Sequence, residues 1–344
     1  MTKVHRFQTG KVPTEVLKRV VFNRLGAPCK RLLQGPQVGE DAAVIDNGDK
    51  VLVIASDPIT GAIGNVGYLV VHINANDIAS TGARPLWFLC VTLLPDGAGE
   101  DMLEEIMEQI NLACCDLGIS VVGGHTETTP GLERPILVGV MIGETEKDCY
   151  VTTCGAEPGD KIVLTKGAGI EGTAVLAQDL YEALYGQIED KVIESAKAML
   201  KKISIVPEAL KAVKIGGVHS LHDPTEGGIL NGVWEMAEAA GVGVLIMEEA
   251  IHIAEETRKI CEILNADPLK LLGSGALLII VKAEMAEKLV SSINEMGITA
   301  SIIGEILSVD EGRRLVKNDG RITLIEAVEQ DEVYRILDKF GCNK

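Results

Sequence analysis

The sequence predicts an α+β protein of two domains, and three observations lead there. The chain has 344 residues, and compact domains typically take about 100–200. Glycine and proline cluster between Gly155 and Gly159, breaking the composition ahead of a strand-like run. On either side of that break, short runs of strand period alternate with segments of helical period, so each half reads as a sheet with helices. The expected division is therefore residues 1–155 and residues 156–344.

The elements follow in order. Val12 to Leu25 places Val12, Val16, Leu17, Val20, Val21 and Leu25 at the spacing of an amphipathic helix. After a loop from Gly26 to Gly39, Ala42 to Ile45 and Val51 to Ala55 read as a hairpin around Asp46-Asn47-Gly48-Asp49. Glu40-Asp41 enters it and Asp57 leaves it. Asn65 to Gly82 reads as a helix, because Leu69, Ile73, Asn76, Asp77 and Ser80 recur at three- and four-residue steps and put the polar members on one stripe. Leu86 to Leu94 is strand-like, and Glu100 to Leu117 is an amphipathic helix with acids on its outer face. A strand from Ile119 to Val122 runs into Gly123-Gly124-His125-Thr126-Glu127, and Ile136 to Ile142 supplies another. The first half is thus a mixed sheet with helices.

The second half opens with a strand, Lys161 to Thr165, and a glycine-rich loop, Lys166 to Gly172. Helices near 173–184, 188–202 and 206–213 precede a strand from Val218 to Leu221. A helix from Thr225 to Ala240, a strand from Val242 to Met247, a helix near 255–264 and a strand from Ala276 to Val281 follow. Then come a helix from Glu284 to Met296 and a strand from Ala300 to Ile306. A hairpin around Asn318-Asp319-Gly320 and a last helix from Asp331 to Phe340 complete an α/β domain.

Composition narrows the function. Fifty acidic residues against 32 basic ones leave a formal charge of −18, and such a surface repels a phosphate backbone, so nucleic acid is an unfavourable partner. Only 2 Trp, 5 Tyr and 4 Phe are present, too few for stacking platforms. The amino terminus has no apolar stretch behind its basic residues and no run is long enough to span a bilayer, so the expectation is a cytoplasmic protein without a membrane segment. Eight cysteines are scattered without zinc-site spacing, which points to reduced thiols.

Acidic or glycine-rich patches stand where strands and helices begin or end. They supply Asp41, Asp57, Asp77, Glu127 and Asp223. Mg²⁺ is held by one or two carboxylates together with phosphate oxygens, so convergent Asp residues suit a metal-nucleotide site. Each piece alone also fits a helix cap, a turn or a solvated acid. Gly167-Ala168-Gly169-Ile170-Glu171-Gly172 fits Gly-x-Gly-x-x-Gly, but no acidic residue ends a second strand about twenty residues on. It reads as a phosphate-facing loop at a helix N-terminus.

The ordered set Gly39-Glu40-Asp41-Ala42-Ala43-Val44, Asn76-Asp77-Ile78-Ala79-Ser80-Thr81-Gly82-Ala83-Arg84-Pro85, Gly123-Gly124-His125-Thr126-Glu127 and Asp223-Pro224-Thr225-Glu226-Gly227-Gly228 resembles the superfamily of aminoimidazole ribonucleotide (AIR) synthetase, selenophosphate synthetase, thiamine-monophosphate kinase and the hydrogenase-maturation protein HypE. The resemblance covers about residues 35 to 310. Through the Asp-Pro-Thr segment and Ala266-Asp267-Pro268-Leu269 it is nearest to HypE-like proteins. It implies a PurM-like two-domain fold, a homodimer whose first domains pair sheets into a shared β-barrel, and ATP bound near that interface. Members phosphorylate an oxygen, often of an amide or carbamoyl group, so that a nucleophile or a loss step can finish the reaction. Carried over to this chain, Asp41, Asp57, Asp77 and Asp223 would hold Mg²⁺ and phosphates, and Asn76 would orient them. His125, Thr126 and Glu127 would line the nucleotide or reacting centre. Gly123, Gly124, Gly167, Gly169, Gly227, Gly228 and Lys166 would contact the nucleotide.

Two departures accompany the resemblance. HypE proteins end on a cysteine that carries the carbamoyl group, whereas here Cys342 is third from the end and lacks the proline-arginine lead-in. The HypE segment after Asp-Pro-Leu holds a glutamate implicated in dehydration, where Leu271-Leu272-Gly273-Ser274-Gly275 offers Ser274. The leading expectation is therefore an ATP-dependent enzyme that activates an amide, carbamoyl or similar oxygen of an unidentified small-molecule acceptor. Beside it stand a carbamoyl dehydratase of hydrogenase maturation that uses Cys342 and a maturation partner protein, and a nucleotide-binding scaffold without turnover.

Overall fold

The computed structural model describes residue 10, residues 12–60 and residues 64–340, so Cys342 lies outside the described residues. The first half comprises α1 (Thr14–Val20), β1 (Leu32–Gln34), β2 (Ala43–Asn47), β3 (Lys50–Ala55), β4 (Pro58–Ile59), α2 (Val66–Ala79), β5 (Arg84–Pro95), α3 (Glu100–Leu117), β6 (Ser120–Thr129) and β7 (Ile136–Glu146). The second half comprises β8 (Lys161–Thr165), α4 (Ile170–Asp179), α5 (Tyr181–Leu184), α6 (Asp190–Lys197), α7 (Val206–Ile215), β9 (Val218–His222), α8 (Gly228–Ala240), β10 (Gly243–Met247), α9 (Glu255–Leu264), β11 (Leu278–Val281), α10 (Ala283–Asn294), β12 (Ala300–Leu307), β13 (Arg313–Val316), β14 (Ile322–Leu324) and α11 (Glu332–Phe340).

Each half builds one mixed sheet. The first runs β1-β2-β3-β7-β5-β6, with β4 also on β7. The second runs β14-β13-β10-β12-β8-β11-β9. Residues alternate between buried and half-buried along β3 and β7, as a sheet with one covered face requires. The interior strand β11 is buried at all four positions, and its partners β8 and β9 meet it antiparallel, Ile279 opposite Val163 and Leu221. Helix α3 is the crossover between the parallel strands β5 and β6. The first sheet is open within one protomer, with β6 as a free edge, so the expected barrel is not formed by a single chain.

Three elements differ from the sequence reading. Helix α1 stops at Val20, and none of its residues is fully buried: Val16 and Leu17 are half-covered, and Val20 stays exposed. Helix α2 ends at Ala79 rather than Gly82, and its polar stripe is buried with the rest of it: 13 of its 14 residues are covered, since α2 packs against β7, α3 and α7 at once. Strand β6 continues through the Gly-Gly-His-Thr-Glu segment to Thr129, because pairing with β5 persists from Trp87 opposite Ser120 to Pro95 opposite Thr129. Glycine is needed at 124, where a Cβ would lie 2.2 Å from the Cys90 carbonyl oxygen.

The halves share one hydrophobic core that runs from Val44, Leu69 and Ile78 through Ile203, Ile205 and Ala209 to Leu277. Asn76 pins this junction: its amide donates to the Ile203 carbonyl at 2.9 Å and accepts from the Ile205 N–H at 2.9 Å. Asn76→Ala leaves both backbone groups unpaired, and each orphan costs about 1–3 kcal/mol. Urea unfolding is expected to show a loss of about 2–4 kcal/mol; an unchanged midpoint would contradict this role.

Candidate functional site

The carboxylates gather where the halves meet. Asp41 precedes β2, Asp57 follows β3, and Asp223 sits between β9 and the turn into α8. Ligand atoms of Asp41, His222 and Asp223 all lie within 4.8 Å of one another. Asp223 is 1% exposed and both its carboxylate oxygens lack a hydrogen-bond partner. Burial first and then the charge of Asp41 push its pKa well above the usual carboxylate range against the pull of His222, and Asp57 adds a smaller push. A buried, unpartnered carboxylate held beside two others is unfavourable in water-free surroundings and becomes favourable when a cation joins it.

His222 organises the cluster rather than ligating. Its Nδ1 faces Asp41 Oδ2 at 3.0 Å and its Nε2 faces Glu235 Oε2 at 3.0 Å. Both ring nitrogens therefore donate, which requires the imidazolium. Burial alone would lower its pKa, but Asp41 and Glu235 together raise it well above the ordinary histidine value. The ring leaves one Asp41 oxygen outside this pairing and neutralises part of the local charge. Glu40 ties the segment before β2 to the loop after β7 by accepting from the Thr153 N–H at 3.3 Å.

The remaining expected site residues lie elsewhere or are spent on the fold. Asp77, buried within α2, and Asp57 both stay outside the Asp41, His222 and Asp223 group, though the charge of Asp57 is felt at Asp223. Asn76, expected to orient phosphates, has its amide engaged by Ile203 and Ile205. Lys166 does not reach out to a phosphate. Its ammonium pairs with the fully buried Glu208 at 2.7 Å and donates to the carbonyls of Lys202, Ser204 and Gly275 at 3.0, 2.6 and 2.7 Å. Burial lowers the Lys166 pKa against the raising effect of Glu208. The glycine loop is closed in the same way: the Ala168 N–H donates to the His252 carbonyl, and a Cβ at Gly167 would lie 2.4 Å from that oxygen. Gly169 caps α4 against Leu271. Gly227 gives its N–H to Asp331 at 2.6 Å, and a Cβ at Gly228 would lie 2.6 Å from the Leu271 carbonyl. These glycines serve close packing of the chain on itself.

His125, Thr126 and Glu127 stand exposed on β6 with Gly123 and Gly124. His125 Nε2 lies 3.0 Å from Glu127 Oε2, and that contact holds the Glu127 carboxyl below its usual range. In the sheet order β6 is four strands from β2, about 19 Å at the usual strand spacing. One protomer thus does not bring this trio onto the carboxylate cluster. His125 and Thr126 border a cavity of about 220 Å³ that Cys90, Met107, Ile110 and Val121 also line. His222 and Glu235 were missed by the sequence reading. His222 had a signal, since it directly precedes Asp223, whereas Glu235 lies thirteen residues away and is placed only by the α8 helix.

The arrangement defines a class: a two-domain α+β protein whose domains meet at a buried carboxylate cluster fit for a divalent cation. The AIR synthase related protein models match residues 39–145 with their N-terminal domain and residues 157–317 with their C-terminal domain. The chain belongs to the AIR synthase related protein family, in the PurM-like superfamily and close to HypE. It is 29% identical to a putative hydrogenase expression/formation protein of Methanocaldococcus jannaschii, over 89% of this chain and 93% of that protein. It is 32% identical to the carbamoyl dehydratase HypE of Azotobacter vinelandii, over 73% of this chain and 72% of that protein. A crystal structure of the hydrogenase maturation protein HypE in complex with ATP matches with a TM-score of 0.72 and 26% identity, covering 94% of this chain and 97% of that one. No helix among the described residues is long and apolar enough to cross a membrane.

Two outcomes follow from the geometry. Lys166→Met strands the buried Glu208 charge, so urea unfolding should show a loss of about 3–5 kcal/mol, while ATP affinity of the folded variant stays unchanged; a specific loss of ATP affinity would restore Lys166 as a phosphate contact. Asp223→Asn relieves a buried unpaired carboxylate and is expected to raise metal-free stability by about 1 kcal/mol or more. Thermal melts with added Mg²⁺ should then stabilise the wild type and leave the variant unmoved. Equal Mg²⁺ shifts in both would contradict the metal assignment.

Proposed function

We propose that the chain is an ATP-dependent carbamoyl dehydratase of hydrogenase maturation, with Mg²⁺ held by Asp41, Asp57 and Asp223. The observation that carries this reading is Asp223, whose two buried, unpartnered oxygens face the junction beside two further carboxylates. Hard oxygen donors of this kind fit Mg²⁺. Bound there, Mg²⁺ supplies charge neutralisation for the triphosphate and the transferring phosphoryl group. The chain's own residues prepare the site: His222 fixes Asp41 between the two halves, and Glu235 holds the far side of the ring. The shared core and the Asn76 clamp keep the two sides of the cluster in register.

Dehydration of a carbamoyl group removes its oxygen and both N–H protons and leaves a nitrile. The oxygen is a poor leaving group until it accepts the γ-phosphoryl group of ATP and departs as phosphate, with ADP as the other product. The relatives named as hydrogenase expression and carbamoyl dehydratase proteins support this acceptor over an unidentified one, and an ATP complex of the fold supports the nucleotide. Cys342 is the proposed carrier of the carbamoyl group. The exposed β6 edge suits pairing with a second copy, which would set the His125, Thr126 and Glu127 face in a dimer interface, and a maturation partner protein would deliver the carbamoyl group.

The test uses the full chain, S-carbamoylated with cyanate and then given ATP and Mg²⁺. Peptide mass spectrometry should show the Cys342 thiocarbamate losing the mass of one water in step with ADP release. A modified Cys342 peptide that stays unchanged with ATP present contradicts the assignment.

A further inference from the structure

Ligand atoms of Asp223 and Asp41 stay within 4.8 Å of each other, although like charges push such groups apart and neither Asp223 oxygen has a hydrogen-bond partner to hold it. The place of the Asp223 carboxyl is therefore set by its backbone. On the N-terminal side the sheet does this, since His222 lies opposite Leu278 where β9 pairs with β11. On the C-terminal side the chain enters a turn that ends on Gly227 and Gly228, with φ of 79° and 63°. Two successive left-handed glycines make a pliable backbone. This flank needs a hold from outside the turn.

That hold comes from the segment leading into α11. Asp331, 4% exposed, accepts from the Gly227 N–H at 2.6 Å through Oδ2, and from the Leu272 and Val333 N–H groups at 3.3 and 2.7 Å through Oδ1. Leu272 carries the contact back to Asp223. Its neighbour Gly273 donates to the Thr225 carbonyl at 3.0 Å, and a Cβ at Gly273 would lie 2.7 Å from the Pro224 carbonyl oxygen. On the other side a Cβ at Gly232 of α8 would lie 2.7 Å from the Pro224 Cβ. Pro224, the residue after Asp223, is thus walled in by the 271–273 segment and α8. The same C-terminal segment grips the turn twice more: Tyr334 donates to Glu226 Oε1 at 3.1 Å, and Asn231 joins the Glu226 carbonyl to the Val328 N–H, each at 3.1 Å. Asp331 lies beyond residue 317, where the match to the family's C-terminal domain ends.

We propose that Asp331 is a positioning residue of the metal site: by holding Gly227 and the 271–273 wall together, it keeps the Asp223 carboxyl where a divalent cation needs it. The assignment rests on the reading of Asp223 as a Mg²⁺ ligand given above. Asp331 touches neither the metal nor a substrate and acts through the backbone of the turn. Without it the glycine pair relaxes, and the Asp223 carboxyl moves as its repulsion from Asp41 favours, away from its neighbour. The cation then loses one of the oxygens that the fold had gathered for it. Loss of a supporting partner behind a metal ligand typically costs about 10–100-fold in metal affinity.

The test is a calorimetric titration of Mg²⁺ alone into the nucleotide-free full chain, at a temperature where circular dichroism shows every variant used to be folded. Asp331→Asn keeps an oxygen for Leu272 and Val333 but turns an amide NH₂ against the Gly227 N–H, and should weaken Mg²⁺ binding at least about tenfold. Glu332→Ala is the control. Glu332 accepts from the Asp267 N–H at 3.2 Å and pairs with Arg335, so its loss loosens α11 without touching the turn and should leave Mg²⁺ affinity within about twofold of wild type. Tyr334→Phe is the milder second variant, which removes one bond to the same turn and should weaken Mg²⁺ at least about threefold. An Asp331→Asn protein that loses stability in urea yet binds Mg²⁺ within twofold of wild type overturns the proposal, because that pattern marks a merely structural residue. Equal weakening in Glu332→Ala overturns it too, as does an Asp331→Asn chain that fails to fold together with a Tyr334→Phe chain of wild-type affinity. A wild type that binds no Mg²⁺ overturns the metal reading itself, and with it this role, and the wild-type arm separates that failure from the others.

Discussion

The rest of the site depends on one unfavourable contact: a carboxyl group at Asp223 that the fold buries without a hydrogen-bond partner, sets beside Asp41 and holds within the field of Asp57. Folding alone offers no return on that burial. The chain tolerates it because the cost is spread over a large shared core and is partly offset by the His222 imidazolium, held between Asp41 and Glu235. A cation that binds only the folded state would convert this local weakness into stability as well as into function. The same logic explains why the strongly acidic balance of the chain is compatible with a nucleotide: the carboxylates that matter collect the metal first.

Much of the architecture was legible because it follows from period and punctuation. Helix α3 was read at the residues where it lies, and β8, β12 and the β13–β14 hairpin were read to within a residue or two, since apolar alternation and turn residues act locally. The failures were all tertiary. The polar stripe on α2 offered Asn76 for orienting phosphates, but α7 and the 203–205 backbone cover it, and Asn76 is consumed in holding them. A lysine beside a glycine-rich loop reads as a phosphate contact from sequence, yet Lys166 is turned inward by Glu208 and three carbonyls from segments 36 to 109 residues away. Nothing near 166 in the sequence announces those partners.

The motif residues divide in an instructive way. Asp41 and Asp223 come from two separate motifs and meet, and the charge of Asp57 from a third is felt at Asp223. His125, Thr126 and Glu127 come from a fourth and stand across the sheet, on a strand exposed along its whole length. Strand edges of that length are normally covered. The five motif residues lie within the ten of the uncovered edge strand, so whatever covers β6 also decides what the trio faces.

The most direct test of the carboxylate site is a calorimetric titration of ATP into the full chain, once with Mg²⁺ and once with the divalent ions chelated. A site built from three carboxylates around a buried Asp223 predicts binding with Mg²⁺ and its collapse without, because the bare carboxylates repel the triphosphate. Equal ATP affinity under both conditions would contradict it, and would place the nucleotide away from Asp41, Asp57 and Asp223.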